Sequence, residues 1–414
     1  MHTNILIRKV NTLLEYLALI LFLFTINANV CAQEHALKFD YITVEQGLTQ
    51  GQINCVFEDS RGYLWFGTKT GINRFDGNNI TIFKNEKEVE TSLSGNEITS
   101  IAEDKYGILW ISTLNNGISL YDWKTDQFER IMHDPKKPSS IVSNSITKVY
   151  IDKNNDIIIL GTQSSGLDIY DRNTNSFEHL YFDELTSQSI SSNVVYDITK
   201  EAEGKYWIAT DVAGVDLLDI STKTFSHISF NAEQNGVTED WKKPIYKDSK
   251  GFLWVGGSNS ANRINTLTKK VTYFEPDNQL NSKMVTSFYE NTEGDLWIGT
   301  DGGGLNIYDP ISNTFEYAKN RSNNDGSLSS NAVYSIYQDR SGIAYVGTYN
   351  GGVNTYHPNR YKFNSFKKSS GNENSLSLNF ILDFHEASDG KIWIGTDGGG
   401  LNLFDPETKN FNHF

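Results

Sequence analysis

One short pattern, an aromatic or aliphatic pair followed by Gly-Thr or a close variant, returns eight times between residues 65 and 396. A chain that repeats itself at such an interval has few folds open to it. The copies are Trp65-Phe66-Gly67-Thr68, Trp110-Ile111-Ser112-Thr113, Ile159-Leu160-Gly161-Thr162, Trp207-Ile208-Ala209-Thr210, Trp254-Val255-Gly256-Gly257, Trp297-Ile298-Gly299-Thr300, Tyr345-Val346-Gly347-Thr348 and Trp393-Ile394-Gly395-Thr396. Their fourth positions are 45, 49, 48, 47, 43, 48 and 48 residues apart. Each copy parses into four short strands, which in the second copy are Ile98–Glu103, Leu109–Thr113, Ile118–Asp122 and Phe128–Met132. The first turn needs a residue that tolerates positive φ, and glycine stands there at 62, 107, 204, 251, 294, 342 and 390, with Asn155 expected in that role in the third copy. The second turn closes on Gly71, Gly117, Gly166, Gly214, Gly304, Gly352 and Gly400, and the fifth copy departs with Ala261.

The segments between copies repeat as well. Leu48, Leu93, Ile141, Ile190, Val237, Leu280, Leu328 and Leu376 hold one equivalent place, so each linker is predicted to plug the seam between neighbouring sheets. Four-stranded antiparallel units of this length arranged radially make an all-β propeller, whose edges are short and protected. Eight copies need not mean eight blades. After the seventh, Tyr356-His357-Pro358 breaks the usual Tyr-Asp turn, and Lys362-Phe363 echoes Lys38-Phe39 ahead of the first. The expectation is a seven-bladed β-propeller over 33–360, with residues 36–44 as an outer strand that completes blade seven. Residues 361–414 then open a second propeller as its first blade, the rest of it truncated. Residues 1–32 read as a signal peptide: Arg8 and Lys9 precede an apolar run from Tyr16 to Phe24, and Ala32 offers a small residue for cleavage. An uncleaved anchor is the alternative. Either way the chain from residue 33 leaves the cytoplasm. Cys55 is then the one cysteine of the mature part, so no intrachain disulfide is expected.

The net charge of -15 repels phosphate backbones and anionic lipid, which argues against nucleic acid as a partner. No nucleophile elbow, His-Glu-x-x-His pair or phosphate loop is present, and Gly302-Gly303-Gly304 reads as a turn. Thus neither a catalytic residue, a metal site nor a cofactor is predicted. His179, His227 and His413 fall at equivalent places on separate outer strands, too far apart to share a metal, and are expected at the surface. Acidic pairs such as Glu103-Asp104 recur and read as turn residues.

Ligand-binding candidates follow from topology. The second turns and the linkers share one face of the ring, around the mouth of the central channel. Asn96, Asn144, Asn193 and Asn331 enter the inner strands there, with Asp240 and Lys283 at the matching places of copies five and six. The asparagines also suit caps for the linker turn. The fifth copy departs most from the repeat and places Trp241 at the mouth, while Tyr349, Asp211 and Asp301 lie on matching second turns. A sugar ring stacks its C–H face on an aromatic ring and needs polar partners for its hydroxyls. Trp241 and Tyr349 are the expected stacking floor, with Asp211, Asp301, Asp240, Lys283 and Asn331 as polar candidates. The competing reading packs Trp241 against the next blade.

The run Leu64-Trp65-Phe66-Gly67-Thr68 followed by Gly71-Ile72-Asn73-Arg74-Phe75-Asp76-Gly77, together with Thr300-Asp301-Gly302-Gly303-Gly304-Leu305 and its near copy at 396–401, resembles the two-component regulator propeller repeats of bacterial hybrid sensor kinases. The resemblance covers 36–414. It implies a periplasmic sensor with a kinase beyond a membrane helix, an oligosaccharide ligand, control of glycan-utilisation genes, a second propeller as neighbour and a homodimer. A scaffold propeller that grips a protein and takes no small ligand is the alternative. An enzyme is the third class, for which no paired carboxylates or metal cluster stand apart from the repeat.

Overall fold

In the computed structural model the residues described are 37–212, 214–229, 243–257, 259–276, 279–322, 324–358, 366–369 and 371–414. The second strand of each blade explains why the units must stack. In blade 2 all of Leu109–Thr113 is buried, on both faces of its sheet. A strand with no wet side requires a neighbour on each side, and the neighbouring blades supply them. Trp65 of blade 1 packs with Leu109, Ile111, Tyr121 and Phe128 of blade 2, and Trp110 in turn packs with Ile146, Ile158 and Phe177 of blade 3. The relay returns to its start, because Tyr345 and Val353 of blade 7 share a cluster with Ile53, Leu64 and Phe66 of blade 1.

The sheets are four-stranded and antiparallel, eight in number among the described residues. Seven of them form the ring. Its last sheet is built from both ends of the unit: Phe39–Ile42 pairs antiparallel with Val353–Tyr356, from Phe39↔Tyr356 to Ile42↔Val353. The chain divides into compact units after Tyr356. In the unit that follows, Ile381–Glu386, Ile392–Thr396, Gly400–Asp405 and Asn410–His413 repeat the blade order around a core of Leu376, Ile394, Phe404 and Phe411. The apolar run near the N-terminus lies outside the described residues, as does Val237. No helix among the described residues is long and apolar enough to cross a membrane.

The strands of blade 2 are Ile98–Glu103, Leu109–Thr113, Ile118–Asp122 and Gln127–Ile131, so the outer one sits one residue earlier than the pattern predicts. Two further readings are corrected. The left-handed residue in the first turn of blade 3 is Asp156 (φ 54°), not Asn155. It stands three residues before Ile159, the spacing that separates Gly62 from Trp65. In blade 5 the second-turn glycine is replaced by Ser260, whose carbonyl accepts the Gly257 N–H, while Ala261 is the first residue of the next strand. Elsewhere glycine is required: a Cβ on Gly166 would lie 2.2 Å from the Leu180 carbonyl oxygen. The linker aliphatics that are described, Leu48, Leu93, Ile141, Ile190, Leu280, Leu328 and Leu376, are all buried, as seam plugs must be.

Candidate functional site

Seven inner strands standing side by side enclose a cavity of about 680 Å³. Every blade contributes to it: Asn54 and Cys55, Thr99 and Ser100, Thr147 and Lys148, Tyr196 and Asp197, Lys243 and Ile245, Thr286 and Ser287, Tyr334 and Ser335. Lys69, Leu114 and Gln163, each the residue after the repeat threonine, also line it, so it opens on the face that carries the second turns. Its wall is polar because inner-strand side chains there tie one blade to the next. Thr99 Oγ1 donates to the Ile146 carbonyl at 2.7 Å, Thr147 Oγ1 to Val195 at 2.6 Å, and Asn54 Nδ2 to Ile98 at 2.9 Å, with Thr286 joined to Val333 likewise. Lys148 forms an ion pair with Asp197 at 2.7 Å, and the other oxygen of that carboxylate accepts the Ile245 N–H.

The candidate residues separate into groups. Tyr349 is about half exposed (47%) and stands against Tyr334, ring centres 5.4 Å apart. Tyr334 is almost wholly buried, and its phenol is pushed up to about 12, first by burial and then by the charge of Asp301. Tyr349 and Asp301 are therefore brought together through a tyrosine that the sequence reading did not single out. Its signal was present: aromatic Tyr196 and Tyr334 stand where other inner strands carry threonine or asparagine.

Across the ring, Asp211 lies beside Lys243. The Lys243 ammonium donates to the carbonyls of Thr210, Val212 and Gly214 at 3.1, 2.6 and 2.7 Å. Burial lowers its pKa to about 8, against the opposing pull of Asp216 and Asp211. One oxygen of Asp211 is buried without a hydrogen-bond partner among the described residues.

Asn331 Oδ1 accepts the Asn320 N–H at 2.7 Å and its carbonyl accepts the Gly304 N–H, so it fastens the linker turn. Asn96, Asn144 and Asn193 make the same pair of bonds with Asn85 and Gly71, His133 and Gly117, and Phe182 and Gly166. Lys283 is exposed. Trp241 and Asp240 lie outside the described residues.

His227 and His413 are exposed, as expected, and His179 is partly buried. His179 and His227 each pair with a buried aspartate, Asp168 or Asp216. His413 Nε2 donates to the Ser375 carbonyl at 2.6 Å. No group of three or more His, Cys, Asp or Glu among the described residues could hold a metal ion.

Residues 47–70, 92–115, 279–302, 327–350 and 375–398 match the two component regulator propeller family model. Histidine kinase P4 of Formosa agariphila is 38% identical over 63 residues, which are 15% of this chain and 5% of that protein. Among solved structures, the extracellular domain of a putative hybrid two component system from B. thetaiotaomicron superposes with a TM-score of 0.67 at 24% identity, covering 91% of this chain and 54% of its own. Virginiamycin B lyase from Staphylococcus aureus superposes with a TM-score of 0.57 at 12% identity, covering 77% and 98%. These two likenesses establish the propeller fold. The chain spans about half the length of the hybrid-system domain it matches.

Proposed function

For a ring built of two-component regulator propeller repeats, we propose the role of a ligand-sensing module, exported to the periplasm and serving a hybrid histidine kinase. The ligand is an oligosaccharide, bound at the channel mouth, and its binding regulates genes for glycan use. The observation that carries this reading is Tyr349, half exposed and standing on the buried Tyr334 at the rim of a polar cavity. A pyranose presents a C–H face to such a ring, while Asp301, Lys69 and Gln163 offer partners to its hydroxyls. The chain itself performs no chemistry in this scheme. Binding acts by favouring one pose of the parent protein over another, so the ligand must bind the two poses with different affinity. The residues from His357 onward serve as the first blade of a second propeller, and the parent acts as a dimer.

Calorimetric titration with a panel of oligosaccharides tests the site. Tyr349→Ala is expected to weaken binding roughly three- to tenfold, the worth of one aromatic contact. Its exposure makes the substitution tolerable to the fold. Equal affinity of Tyr349→Ala and wild type for every saccharide that binds would remove the mouth from the site. If no saccharide bound, the sensing reading would give way to the protein-gripping scaffold.

A further inference from the structure

In several blades one position on the outer strand reaches back to the linker that enters that blade. In blade 7 the Tyr41 hydroxyl donates to the carbonyls of Asp325 and Ser327 at 2.8 and 2.6 Å. In blade 6 Tyr317 reaches the Gln279 carbonyl, and in blade 2 Arg130 reaches those of Val89 and Ser92. Opposite this position, on the adjacent strand, blades 1, 6 and 7 carry Asn73, Asn306 and Asn354, whose Oδ1 atoms accept an N–H from the same linker. None of these side chains changes charge near neutral pH.

Blades 3 and 4 solve the same problem with groups that do. Asp168 and Asp216 replace the asparagine and are almost wholly buried, while His179 and His227 stand opposite them in register. His179 Nδ1 lies 2.6 Å from Asp168 Oδ1, and its Nε2 lies 2.8 Å from the Pro138 carbonyl. The second oxygen of Asp168 accepts the Val142 N–H at 2.7 Å. His227 meets Asp216 at 2.7 Å and the Ser187 carbonyl at 3.3 Å, and Asp216 accepts both the N–H and the hydroxyl of Ser191. Each imidazole thus has an acceptor at both nitrogens. A neutral ring has one N–H and must face one acceptor with a lone pair; only the imidazolium satisfies both.

We propose that the blade 3 clasp makes its linker proton-responsive: as imidazolium His179 holds linker 132–145 onto blade 3, and losing the proton releases it. At His179 the surroundings favour the charged form. Facing His179 are Asp168 on the neighbouring strand and Glu178 on its own, with His133 of the linker acting on Asp168. Burial of the His179 ring opposes its charge, but the Asp168 bond, the Pro138 carbonyl and the carboxylate charge outweigh burial and raise the pKa above the usual histidine value. His227 faces Asp216, beyond which lies Lys243, and it lines a cavity of about 440 Å³ together with Asp183 and Glu184 of the linker. A group whose pKa is raised on folding stabilises fully below its unfolded value, and that stabilisation is lost as pH climbs through the folded one. The linker into blade 3 is therefore held in mild acid and loosened above neutrality. Lys243 also walls the central channel, so the clasp of blade 4 sits one carboxylate away from the mouth.

Hydrogen exchange on the full chain reads the linker directly. Protection factors for 134–142 are expected to fall severalfold between about pH 6 and about pH 8.5. Linkers of other blades, such as 319–330, should keep theirs. The control copies the solution of blade 6: Asp168→Asn with His179→Tyr should abolish the fall. Unchanged wild-type protection, or a fall that survives in the variant, would overturn the proposal. Independently of any variant, ring ¹⁵N resonances should report the His179 imidazole doubly protonated at about pH 6; a neutral ring there would overturn it too.

Discussion

The repeat tryptophans are held at both ends. Trp65, Trp110 and Trp254 bury their rings in the seams, and their indole N–H groups donate to Asp59, Asp104 and Asp248 of the preceding turn at 3.0, 3.3 and 2.8 Å. The same carboxylates accept backbone N–H groups of the turn, so one side chain shapes the hairpin and satisfies the buried donor. Blade 6 shows the alternative. Asn291 turns its side chain to Asp295, and the Trp297 indole nitrogen is buried with no hydrogen-bond partner among the described residues. Asp248→Ala should therefore destabilise the ring by about 1–3 kcal/mol, since it strands a buried donor. A urea titration followed by tryptophan fluorescence checks this through a lower midpoint at unchanged slope. At this scale the sequence was half legible. The aspartates were readable as turn residues, but their second duty joins residues that meet only once the hairpin has closed. The misplaced Asn155 and Ala261 have a simpler origin, because turns of unequal composition hide which residue occupies the special backbone position.

Elements carry the ring through contacts that side-chain periodicity does not announce. Inner strands belong to separate sheets, so no ladder joins them, and the hydroxyls of Thr99, Thr147 and Thr286 take over that duty by bonding to the next blade. Thr147→Val keeps the shape and removes the donor, leaving the Val195 carbonyl without it. The expected cost is about 0.5–1.5 kcal/mol, read as a lower urea midpoint, with the mouth still intact. Three strands of blade 2 end where the apolar alternation places them. The outer strand slips by one because Gln127 and Glu129 are exposed and either register buries Phe128. The mouth was legible as a place and less so as a list. Ring topology put Tyr349 and Asp301 on one face, whereas Asn331 serves the linker, and the His–Asp clasps were invisible because their partners meet only once the outer hairpin has closed.

For the molecule as a whole, everything depends on how a circle of sheets is fastened. Each blade but the last draws its strands from consecutive sequence, and only the seventh borrows one from the far end of the unit. The borrowed strand brings more than backbone pairing. Phe39 is 2% exposed, packed in the cluster of Trp297, Leu305, Leu328 and Val333, and the Tyr41 hydroxyl caps the linker carbonyls that enter blade 7. Since blades 7 and 1 also share a core, loosening the borrowed strand exposes a seam together with an edge. Phe39→Ala should remove about 3–5 kcal/mol, the range for emptying a buried aromatic site. A closed ring transmits that loss to every seam, so calorimetry should find one transition moved to lower temperature, not a small early melt of blade 7 followed by an unshifted main peak. The second pattern would mean that blades 1 to 6 hold together without the fastening, and the ring would then behave as an arc whose neighbours, rather than whose closure, supply its stability.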